Sequence, residues 1–210
     1  MKSILHGTTR LIYSSAAFLM LLAVSNSAMG QQLLEPHETC GNDSNAIIAF
    51  ADPVLESIVR EALSIGSDAA LSCGVAAELT ALNASGPGPV RTVSGSPEWR
   101  DPDHEFHDLS GIQNLTGLTR LSLNNRGLRN IRPLSSLTNL VALNLHTNWI
   151  SDLSALAGMT KLTSLFLSEN PLSDISPLSE LTELRVLRLH RHGDFIGGRS
   201  EEHTSELQSQ

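Results

Sequence analysis

The sequence predicts a parallel α/β solenoid in which every coil contributes one short strand, and three observations carry that reading. Residues 115–136, 137–158 and 159–180 (LTGLTRLSLNNRGLRNIRPLSS, LTNLVALNLHTNWISDLSALAG and MTKLTSLFLSENPLSDISPLSE) superpose without a gap at a period of 22. Within each, apolar residues recur at offsets 1, 4, 7, 9, 14, 17 and 20. A fourth copy opens at Leu181 as LTELRVLRLH and then loses the pattern. Periodicity of this length marks stacked repeats, because one coil buries too little apolar surface to fold alone and must lean on its neighbours. Paired long helices are excluded, since heptads would neither hold asparagine at one phase nor place proline in their interiors.

Each coil can be read in order. In Leu143-Asn144-Leu145 and Leu165-Phe166-Leu167 apolar residues alternate with period two, so the leucines face inward and Asn144 and Phe166 outward. Asn148 and Asn170, at offset 12, are placed for their side-chain amides to satisfy turn backbone groups as the chain leaves the strand. Leu128, Ile150 and Leu172 then re-enter the core. Asp152 and Asp174 suit the start of a short helical turn, and Pro177 its first positions; the first repeat has Asn130 and Pro133 there. The spacing L-x-x-L-x-L-x-x-N-x-L is the leucine-rich repeat signature, with short helical turns expected on the convex side.

The N-terminus reads as a targeting segment. Lys2 and Arg10 precede the apolar run 11–24, and the small residues of 25–30 offer a cleavage site before Gln31. The run is short for a membrane span, and no cysteine follows it to take a lipid. Export is the expectation, to the periplasm, the cell surface or the medium, with membrane contact only through this segment. At the other end, RSEEHTSELQS at 199–209 resembles the conceptual translation of a short-read sequencing adapter. Residues 199–210 are therefore expected to be non-native, and the repeats of 108–198 to be truncated without a C-terminal cap.

Between the signal and the repeats, Asp52 and Pro53 precede Leu55, Ile58, Val59, Ala62 and Leu63 at helical spacing, an N-cap with proline in the first turn. Residues 75–78 allow a further helical turn. Leu79, Leu82 and Ala84 then occupy offsets 4, 7 and 9 of a leading repeat, so 31–84 reads as an N-terminal cap feeding the first strand. Phe50, Asp52, Leu55, Val59, Arg60, Glu61, Ala62 and Leu63 match an F-x-D-x-x-L-x-x-x-I-R-E-A-L type of motif. With the 22-residue repeats, this cap resembles the bacterial internalin-like leucine-rich repeat proteins. The resemblance implies a surface or secreted protein that binds other macromolecules; it carries over no target.

Cys40 and Cys73 are the only cysteines. In an exported chain an even pair reads as a disulfide, and the close spacing of a zinc pair is missing. From Ala84 at offset 9 to Leu109 at offset 17 the chain is about 17 residues longer than a regular coil. That places an inserted loop, rich in Gly, Pro and Ser, at 85–107. It holds Asp103, His104, Glu105 and His107 next to Asp108, but no helix aligns the two histidines, and a solvated polar loop with Asp108 capping the next turn is the expectation. No metal or cofactor is expected.

The chain shows no G-x-S-x-G, H-E-x-x-H or phosphate-binding glycine loop, and no nucleophile with an obvious base, so an enzyme is not expected. The net charge is −8, and discounting both ends leaves it unchanged. A modest acidic balance argues against nucleic acid, which requires a basic stripe. Recognition then falls to the outward strand offsets 6, 8 and 10. Arg120, Asn124, Asn144, His146, Phe166, Arg188 and His190 are the candidate partner-binding residues, with Phe166 as the aromatic anchor, because aromatics and arginine dominate binding energy. Trp149 is expected to pack on its turn. A monomer binding a protein, or else a surface glycan, is the expected function. The rivals are a targeting module of a larger secreted enzyme or anchored protein, and an intracellular adaptor that the signal segment disfavours.

Overall fold

The computed structural model describes residues 31–86 and 108–190, with the backbone of 90–91 and 97–98 between them. The signal segment, the Asp103–His107 group and the 199–210 tail lie outside the described residues.

Two helices open the fold. Helix α1, Pro53–Ala62, is capped by Asp52, whose carboxylate accepts from the Val54 and Leu55 amides and satisfies donors that no helical carbonyl can reach. It buries Leu55 and Val59 completely, while Ala62, expected on the same face, is exposed. Arg60 pairs with Glu56 at 2.8 Å and donates to the carbonyls of Gly66 and Ala69, folding the following loop back on the helix. Helix α2, Cys73–Ala77, starts from Ser72.

Five parallel strands follow: β1 (Ala81–Asn83), β4 (Arg120–Ser122), β5 (Ala142–Asn144), β6 (Ser164–Phe166) and β7 (Val186–Arg188), stacked in that order. Leu121, Leu143, Leu165 and Leu187 pair in register, one period apart. The first step is longer, because Leu82 pairs with Leu121. Within the intervening segment β2 (Val90–Arg91) and β3 (Pro97–Glu98) form a two-residue antiparallel ladder, so the stretch read from its composition as loop alone contains a short pairing.

The convex side is made of short 3-10 turns at Ile112–Asn114, Arg132–Ser136, Ser154–Leu156 and Ser176–Leu178. Asp108, Asn130, Asp152 and Asp174 stand at equivalent places, each accepting the amide two residues on at 2.8–3.0 Å. These bonds hold the carboxyls of Asp152 and Asp174 below their ordinary range, since they favour the ionised acceptor. Asn148 and Asn170 are buried. Each amide donates to carbonyls of its own turn and to one in the preceding coil, Leu123 for Asn148 and Leu145 for Asn170. The Asn148 carbonyl oxygen accepts from Arg126 and Leu128, and that of Asn170 from Ile150. The asparagines thus close their own turns and also stitch coil to coil.

Cys40 and Cys73 are disulfide-bonded, tying the start of α2 to the extended segment before α1. The next coil grips that segment: Gln113 donates to the carbonyls of Pro36 and Glu38, while Asn114 accepts from the Cys40 amide and donates to Glu38. Gly111, at φ +108°, is required there, because a Cβ would stand 2.6 Å from the buried Phe50 ring.

Candidate functional site

Stacking parallel strands at one period turns every outward offset into a row across the sheet. Offset 8 reads Ser122, Asn144, Phe166, Arg188, and register places Phe166 between Asn144 and Arg188. The Arg188 guanidinium lies 5.3 Å from the Phe166 ring centroid, so the two most energetic side-chain types of the face are in contact. Phe166 also borders a shallow groove of about 450 Å³ over β1, β4 and β5, to which Arg120, Ser122 and Asn144 contribute.

Offset 10 forms the second row. The Asn144 side-chain oxygen accepts from the His146 amide, and the His190 amide donates to the Ser168 hydroxyl. His146 Nδ1 lies 3.1 Å from the Ser168 carbonyl. A carbonyl only accepts, so Nδ1 is the donor in this contact. Asn124, in the same row, joins Ser122 and Ser85 through short polar contacts. Arg120 stands apart from Arg188, three strands away or about 14 Å at the usual strand spacing.

Three features escaped the pattern. Arg126 occupies the position of Asn148 and Asn170, and its guanidinium donates to the Ala84 and Ser85 carbonyls at 2.7 Å, bracing the coil where the long segment departs. Its pKa is lowered by burial. Asn125, Thr147 and Glu169 share one turn position at φ 56–60°, a left-handed conformation that β-branched Thr147 adopts under strain. Trp149, expected to pack on its own turn, is half exposed instead, with the Arg129 guanidinium of the preceding coil 5.5 Å from its ring.

A leucine-rich repeat family model, in two copies, matches residues 116–158. Among solved structures, an internalin (inlF) from Listeria monocytogenes is 32% identical with a TM-score of 0.57, over 67% of this chain and 37% of that one. This chain is a leucine-rich repeat solenoid that resembles the internalins. The functional domain of InlJ from the same organism, described as including a cysteine ladder, is 26% identical with a TM-score of 0.50, over 67% of this chain and 31% of that chain. The internalin-like chain thus spans roughly a third of the length of each, and its own two cysteines are both spent in the N-terminal disulfide. No curated protein matches the sequence. Among the described residues, no helix is long and apolar enough to cross a membrane, and no group of side chains is arranged to hold a metal.

Proposed function

We propose that the chain is an exported, non-enzymatic, monomeric module that binds a protein through its concave strand face. The basic and apolar N-terminal segment supports export, as does the disulfide, which persists in oxidising compartments. The observation that carries the binding reading is Phe166, an aromatic in an outward slot of a five-strand face, in register with Arg188 and touching it. Arg120, Asn124, Asn144, His146 and His190 surround it as polar contacts. A glycan is disfavoured because Arg188 already lies over the ring that a sugar would stack on.

Hydrogen exchange measured with and without a bound protein partner tests the reading. Protection is expected at residues 120–124, 142–146, 164–168 and 186–190. Protection confined to the convex turns would contradict it.

A second reading keeps the same face but makes it the targeting part of a larger secreted enzyme or anchored protein. Ile175 and Leu189, inward by pattern, are 49% and 38% exposed, an apolar side that a further coil would cover. Sequencing the locus from source DNA beyond the Gly198 codon decides it: more repeats or a new domain favour this reading, and RSEEHTSELQS followed by a stop codon sinks it.

A further inference from the structure

The protein is acidic, yet its acids avoid the concave face. At offsets 6, 8 and 10 of β4 to β7 the ionisable residues are Arg120, His146, Arg188 and His190, with no carboxylate among them. Glu169 stands in the turn after β6 and Glu183 in the turn before β7, while Asp108, Asp152, Asp174 and Glu180 lie on or beside the convex turns. On a chain of net charge −8 this segregation leaves a cationic strip on a negative body. Neither arginine is neutralised internally: among the described residues the one ion pair joins Arg60 to Glu56 in the cap.

Resting on the concave-face reading, we infer that the partner is an acidic protein segment whose carboxylates are taken by Arg188 and Arg120. Arg188 is braced over Phe166, which reduces the freedom it must lose on binding, and its planar fork suits a carboxylate bidentately. Arg120, three strands away across the face, selects for a second acid at a distance rather than for one dense anion. Between them Phe166 and the Ala142 slot of the groove accept an apolar side chain. The negative remainder of the molecule repels acidic chains everywhere else, so the strip sets orientation and association rate as much as affinity.

The test is selection of random twelve-residue displayed peptides on the full oxidised chain, followed by affinity measurement on each variant. Enriched peptides should carry an excess of Asp and Glu. They should lose at least tenfold in affinity to Arg188→Glu and to Arg120→Glu, lose less to Arg188→Gln, and ignore Arg132→Glu on the convex side. Association should slow as salt rises from about 50 to 300 mM, because screening shortens the reach of the strip. Thermal melts of each variant separate lost binding from lost folding. Enriched peptides without acidic excess that still depend on Phe166 would overturn the inference and leave the concave reading standing. Peptides indifferent to Phe166→Ala and to both arginines would overturn both. An empty selection, or a heparin fragment alone binding with the same arginine dependence, also overturns it.

Discussion

The two ends of the stack contain the same repeat and meet different neighbours. At the N-terminal end, the leading coil is covered by α1, α2 and the disulfide-tied segment, and Gln113 and Asn114 take up that segment's carbonyls and amide. Every inward position of the first two full repeats is at most 2% exposed. At the other end the same pattern opens out: Leu172 and Leu187 are half-buried, while Ile175 and Leu189 are exposed. An inward offset therefore specifies where a side chain points, while the next coil decides whether it is buried.

The largest effect that would break this comparison comes from one substitution made at equivalent places. Ile131→Ala, in a sealed coil and 2% exposed, should cost about 2–5 kcal/mol through lost transfer energy and a cavity. Ile175→Ala, half exposed, should cost under about 0.5 kcal/mol. Urea unfolding of the two variants measures the gap, and equal losses would mean the last coil is covered in solution.

Removing the disulfide from the sealed end comes next. The Cys40→Ser, Cys73→Ser pair should destabilise by roughly 3 kcal/mol, chiefly by freeing the unfolded chain. Non-reduced peptide mapping of exported protein should recover the two cysteines linked, and free thiols there would remove this contribution altogether.

The smallest effect is shared by both ends. The carboxyls of Asp152 and Asp174 are held below 3.8 by their turn amides, so the stability they add is present at neutral pH. It is lost as pH falls from about 3.8 through their lowered native values. Asn130 makes the same bond without titrating. Changing both aspartates to asparagine should flatten the acid limb of a melting-temperature profile while leaving the fold intact. An unchanged limb would mean the turns do not set it.

Much of this was legible beforehand because it is local. Leucine spacing, the two turn asparagines, the aspartates opening the 3-10 turns, Asp52 as a cap and the cysteine pair all announce themselves by residue type at a fixed offset. Arg126, Gln113 and Asn114 did not, because their partners lie 41 to 77 residues away and no spacing rule links them. Thr147 and Glu169 hid their left-handed backbone because neither is a residue that requests it. On the concave face, the outward direction of Phe166 was readable from alternation, but its contact with Arg188 needed the register between coils.

The central claim is that the concave face binds and that Phe166 is its anchor. The most direct test is the affinity of a protein partner for Phe166→Ala, set against Ser154→Ala on the convex turn. Truncating an anchoring aromatic costs about 2 kcal/mol, so Phe166→Ala should weaken binding roughly thirtyfold, with the unfolding transition moved by only a few degrees. Ser154→Ala should bind like the unmodified chain. Wild-type affinity in Phe166→Ala, or a loss explained entirely by unfolding, would make Phe166 a structural residue and put the partner elsewhere.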